Sequence, residues 1–223
     1  ADNGIGMASA LAVLADDSVE HGPLEVLLTM TEEAGMDGAF GLQANWLQAD
    51  ILINTDSEEE GEIYMGCAGG IDFISTLPLS REAIPDGFQT FKLTLKGLKG
   101  GHSGGDIHLG LGNANKLLAR FLAGHAAELD LRLVDFNGGT LRNAIPREAF
   151  ATVAVPAAKA DELKKLSTVY LDILKNELSA KEKNLTVVLE SVSTDKAALT
   201  VQSRDTFVQL LNATPDRKST RLN

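Results

Sequence analysis

Between Phe88 and Leu189 the hydrophobic period switches between two and 3.6 residues in a fixed order, and that order constrains the fold more than any other feature. Phe91, Leu93 and Leu95 alternate with Lys92, Thr94 and Lys96, which predicts a half-buried strand over Phe88–Leu98. A glycine-rich turn then leads to a helix over Leu111–Ala127. Strands follow at Leu131–Phe136 and Ala149–Val155, a long amphipathic helix at Lys159–Lys183, and a strand at Leu185–Leu189. The order β-α-β-β-α-β is that of the split βαβ, or ferredoxin-like, α+β domain. A last helix is predicted over Asp195–Leu211.

The first 70 residues read differently. Small and apolar residues recur at helical spacing from Gly4 to Asp17, and again from Asp37 to Leu47. The apolar runs Leu24–Thr31 and Asp50–Thr55 have the length of buried strands, and another strand is expected at Glu62–Ala68. Helix and strand in alternation imply an α/β piece with a mostly parallel sheet. A boundary is therefore placed near residue 70, with an α/β part at 1–70 and an α+β domain at 71–215. Residues 216–223 are polar and aperiodic, and are expected to be a disordered tail foreign to the rest.

Composition excludes some functions. The net charge of −11 argues against nucleic acid and against an anionic membrane, both of which bind basic faces. No apolar run approaches the roughly 18 residues that a membrane-spanning helix needs. Cys67 is the single cysteine, so no internal disulfide forms and a cytoplasmic location is expected.

Ligands of an open parallel sheet gather beyond the carboxyl ends of its strands. Here those ends are Thr31-Glu32-Glu33-Ala34-Gly35 and Asn54-Thr55-Asp56, and Asp2 stands in the matching place before the first helix. Asp2, Glu32, Glu33 and Asp56 would then meet at one edge, where carboxylates repel unless a cation or protons neutralise them. Solvated loop acids and helix caps at Asp2 and Asp56 account for the same residues. The spacing leaves both readings open.

The motifs themselves are more specific. Ala1-Asp2-Asn3-Gly4-Ile5-Gly6, Thr29-Met30-Thr31-Glu32-Glu33-Ala34-Gly35 and Leu52-Ile53-Asn54-Thr55-Asp56 stand in the order and at the spacings of the aminoacylase-type zinc exopeptidases. Gly100-Gly101-His102-Ser103-Gly104-Gly105 and Leu141-Arg142-Asn143-Ala144-Ile145-Pro146 narrow the resemblance to the bacterial aminoacyl-histidine, or non-specific, dipeptidases. It runs from Ala1 to about Pro215.

The resemblance implies roles residue by residue. Asp2 matches an aspartate bridging two zinc ions, Glu33 a ligand of one ion and Asp56 a ligand of the other, with manganese or cobalt as alternative metals. Glu32 matches the general base that takes a proton from water, whose pKa zinc lowers to about 7. His102 matches a histidine of a lid and dimerisation domain that steadies the tetrahedral oxyanion, in dimeric relatives across the subunit interface. Asn143 matches a lid residue that contacts substrate. The implied function is hydrolysis of dipeptides, Xaa-His among them, by a homodimer. His21, His108 and His125 match no role and are expected at surface or helix-end positions; Cys67 is expected in a core.

The family's pattern also needs a His-x-Asp before Ala1 and a metal-binding histidine beyond the last matched residue. The chain is accordingly expected to be an internal piece of such an enzyme, inactive and weak in zinc binding by itself, with apolar sheet edges left exposed. The competing reading is a non-catalytic interaction module, and a third is a calcium loop at Asp56–Glu62, which lacks the alternation of an EF-hand.

Overall fold

The computed structural model describes residues 3–56, 60–66 and 73–215. The chain divides into two compact units, Ala1–Gly70 and Ile71–Asn223.

In the first unit, α1 spans Gly4–Ala15, and α2 (Glu32–Gly35) and α3 (Asp37–Phe40) are single turns. Asn3 caps α1 by accepting from the Gly6 N–H at 2.7 Å, the arrangement favoured for an Asn at a helix start. The strands expected at 24–31 and 50–55, and the described part of that at 62–68, are absent, so no parallel sheet forms among the described residues of this unit. The physical reason is partnership. A buried parallel strand holds its shape only when hydrogen-bonded on both edges and covered on both faces. Here Ile51, Leu52 and Ile53 are exposed by 80%, 82% and 81%.

The second unit holds the core. Its elements run β1 (Arg81–Glu82), β2 (Phe88–Lys96), β3 (Gly101–His102), α4 (Ala114–His125), β4 (Arg132–Gly138), β5 (Ala144–Ile145), β6 (Ala149–Pro156), α5 (Ala160–Leu178), β7 (Thr186–Ser191), β8 (Ala198–Leu199) and α6 (Val201–Ala213). Four strands form one sheet in the order β4-β6-β2-β7, every neighbouring pair antiparallel. With α4 and α5 as crossovers this is the ferredoxin-like βαββαβ arrangement that the periodicity predicts. Register follows the alternation: Phe91 faces Val153, Leu93 faces Ala151 and Leu95 faces Ala149. All six are buried, and Leu118, Phe121 and Leu122 of α4 with Leu163 and Leu174 of α5 join the same cluster.

α6 lies outside the predicted split βαβ and is tied to it by two cations. Lys116 Nζ donates to the carbonyls of Leu211, Asn212 and Thr214, which the end of a helix otherwise leaves unpaired. Arg204 is 3% exposed and donates to the carbonyls of Leu131 and Ala126, while Nε and Nη2 engage Asp205. Arg204→Met is expected to lower stability by about 1–3 kcal/mol, since it strands the buried Leu131 carbonyl, whereas the Ala126 carbonyl keeps the Leu131 N–H. A denaturant titration with an unchanged midpoint would show that the arginine merely fills space.

Candidate functional site

The Gly100–Gly105 and Leu141–Pro146 stretches converge on one ribbon. β3 and β5 are two residues each and pair antiparallel, His102 opposite Ala144 and Gly101 opposite Ile145. The Ser103 N–H donates to the Asn143 carbonyl at 2.7 Å, which fastens the glycine-rich stretch to the Leu141–Pro146 stretch. His102 and Asn143, forty-one positions apart in sequence, therefore stand side by side. Gly100 makes this approach possible: its φ is +68°, and a Cβ there would sit 3.2 Å from the Ile145 carbonyl oxygen.

The imidazole of His102 is exposed yet oriented. Its Nδ1 accepts the N–H groups of Gly104 at 3.1 Å and Gly105 at 2.9 Å, and its own backbone N–H donates to Asp106 Oδ2 at 2.8 Å. An acceptor Nδ1 places the proton of the neutral ring on Nε2, which is then a donor. A cavity of about 530 Å³ opens against this ribbon, lined by His102, Asn143, Lys99, Arg147 and Glu148 among others. That size lies in the range of small-molecule sites. A second cavity of about 380 Å³ lies against Ser103, Asn113, Asn115 and Arg142. Asp106 is the residue that sequence reading missed here; its signal was its place four residues after His102.

The carboxylates of the first unit behave differently. Glu32 and Glu33 begin the single turn α2, and both are exposed. Backbone geometry around them is unusual: Thr31 at φ 59° and Met36 at φ 61° occupy the left-handed region on either side. Asp56 is exposed, and its backbone N–H donates to Asn54 Oδ1 at 3.0 Å. Asn3 Nδ2 donates to the Thr55 carbonyl at 2.6 Å, so the start of α1 lies beside the Asn54–Asp56 motif. Asp2 and Cys67 lie outside the described residues, as do positions 57–59 of the calcium-loop reading. Among the described residues, no three His, Cys, Asp or Glu side chains come together as a metal ion requires. Glu32, Glu33 and Asp56 form no such group among themselves.

The remaining histidines stand apart from the ribbon's chemistry. His21 meets the Gly22 carbonyl, His108 is exposed, and His125 closes α4 with Nδ1 2.6 Å from Glu128 Oε1. Among the described residues no helix is long and apolar enough to cross a membrane.

Residues 93–182, from within β2 to the turn after α5, match the family model of the peptidase dimerisation domain. The particular relatives agree with the motifs. The chain is 81% identical over 97% of its length to the cytosol non-specific dipeptidase of Escherichia coli, of which it spans 44%. It also superposes on the crystal structure of the aminoacylhistidine dipeptidase of Vibrio alginolyticus with a TM-score of 0.70 and 60% identity, covering 96% of this chain and 44% of that one. The resemblance drawn from the motifs holds, and the chain spans less than half the length of either relative.

Proposed function

We propose that this chain is the central segment of a cytoplasmic, metal-dependent dipeptidase. Residues 71–215 serve as its lid and dimerisation domain, and residues 1–70 belong to its catalytic domain. The parent is a homodimer that hydrolyses dipeptides, Xaa-His included. The observation that carries this reading is 81% identity to a dipeptidase over 97% of this chain. In this reading Glu32 is the general base, His102 donates to the developing oxyanion through Nε2, and Asn143 contacts substrate at the ribbon. The tautomer fixed by Gly104 and Gly105 suits that donor role. Asp2, Glu33 and Asp56 are the proposed metal ligands, zinc first and manganese or cobalt second. Their arrangement in this chain is not a completed site, so the chain alone is proposed to be inactive.

A graft tests the proposal. Residues 1–215 are placed in the E. coli dipeptidase instead of the stretch they match, and hydrolysis of a Xaa-His dipeptide is followed. The expected result is activity in the graft and none in the isolated chain. An inactive but folded graft would favour the second reading, a non-catalytic interaction module. One observation favours that alternative: among the described residues the buried hydrophobic core lies wholly between Phe91 and Val208.

A further inference from the structure

Glu182 is 2% exposed, lies in the turn after α5 and belongs to no motif considered so far. Its two carboxylate oxygens hold two distant stretches of backbone. Oε2 accepts the Lys99 N–H at 2.8 Å and Oε1 accepts the Gly112 N–H at 2.8 Å. Everything between those two amides is the loop that carries β3, His102, Asp106 and the 3-10 turn Ile107–Leu109. Two neighbours reinforce the grip. Lys181 Nζ donates to the Leu109 carbonyl in that loop. Gly97 enters it at φ +85°, where a Cβ would sit 2.0 Å from the Asn184 carbonyl oxygen, so the loop's base is pressed against the same turn.

Buried carboxylates are stable only when their oxygens are filled by donors, and a bond to a charged acceptor is stronger than one between neutral groups. A single side chain that satisfies both ends of one loop fixes the span between those ends. Inside that span, His102 can keep its Nδ1 on the Gly104 and Gly105 amides only while the turn holds its shape.

We infer that Glu182 is a positioning residue: its buried carboxylate closes the 99–112 loop at both ends and thereby sets where the His102 imidazole stands. The inference rests on the reading of His102 as the working group of the ribbon, but the ring's position is measurable whether or not that reading is right. Activity of His102→Ala in the graft tests the role, whereas the signals below test the position.

The experiment is nuclear magnetic resonance on the whole 15N-labelled chain at about pH 8, where imidazole is neutral. In the wild type, the Lys99 and Gly112 amides exchange with solvent as slowly as those of β2 and β6, and the His102 ring shows a protonated Nε2 with an unprotonated Nδ1. Glu182→Gln turns one acceptor into a donor facing an N–H. Exchange at Lys99 and Gly112 then rises about tenfold or more. The single-tautomer signature of His102 is lost together with the Gly104 and Gly105 amide shifts, and β2 and β6 stay unmoved. An unchanged His102 signature beside accelerated Lys99 and Gly112 exchange overturns the inference, because the carboxylate would then be a structural clamp alone. If Glu182→Gln unfolds the chain, the wild type decides. Loop-like exchange at Lys99 and Gly112 overturns the inference, and core-like exchange with one His102 tautomer upholds it.

Discussion

Phe121→Ala lowers the stability of the second unit by about 3–5 kcal/mol, a large share of the 5–15 kcal/mol typical of a whole domain. Phe121 is 1% exposed and projects from α4 into the seam with α5. Its ring lies 5.3 Å from that of Tyr170 at an interplanar angle of 52°, and 4.9 Å from His125. Tyr170 cannot swing in to fill a void, because its hydroxyl donates to the Leu117 carbonyl at 2.7 Å and accepts from Arg120 Nε at 3.0 Å. Burial pushes the Tyr170 phenol above its ordinary pKa, as expected of a neutral hydroxyl set among apolar side chains. The cavity therefore stays open, and open cavities are what make large-to-small substitutions severe. Val169→Ala on α5 is the control: that side chain is 45% exposed, and its loss should move the midpoint by no more than about 0.5 kcal/mol. Urea unfolding followed by far-ultraviolet circular dichroism reads both. Equal midpoints for the two variants would mean that the α4–α5 seam is not where this unit's stability resides.

That seam was legible because it is made of long elements with a clear period. The alternation of Phe91, Leu93 and Leu95 fixed which face of β2 is inside, and α4 and α5 fall within the predicted helices. Their ends were harder to read. The helix expected to run to Lys183 stops at Leu178, whose carbonyl accepts the N–H groups of both Lys181 and Glu182 and closes the turn early. Gly112 and Asn113 likewise delay α4 to Ala114, with Asn113 as its cap accepting from the Lys116 N–H. Pairing at long range in sequence left no trace. β3 with β5, and β1 with β8, are two residues long and too short to carry a period.

The site was legible in part for a related reason. His102 and Asn143 could be singled out through the resemblance that their motifs carry, but their adjacency is created by the ribbon and the Ser103–Asn143 bond. Glu182 could not be found from its neighbours in sequence, since its partners are backbone amides 83 and 70 positions away. In the first unit the apolar runs announced strands that the described residues do not form. Residues such as Ile51 and Met65, the latter 99% exposed, show what such a run does without strand partners around it. Hydrophobic pattern specifies a face; only a neighbour turns it into a sheet.

Glu32→Gln in the grafted dipeptidase is expected to reduce kcat by about 10²–10⁴-fold with a much smaller change in KM. The substitution keeps the shape and the hydrogen-bonding capacity of the side chain and removes only its ability to take a proton. α2 sets Glu32 on the first position of a turn, directly after Thr31 in the left-handed region at φ 59°, and Glu33 on the next. Successive helical positions point about 100° apart, so the two carboxylates project in different directions. Glu33→Gln should therefore behave differently: if Glu33 is a metal ligand, excess divalent metal restores part of its activity and none of that lost by Glu32→Gln. Steady-state kinetics across a series of zinc and manganese concentrations separates the two. Rescue of Glu32→Gln by metal would exchange the roles of the pair, and full activity in both variants would remove this turn from the chemistry altogether. His102→Ala, measured in the same graft, is expected to lower kcat by about 10²–10³-fold as the loss of one oxyanion donor.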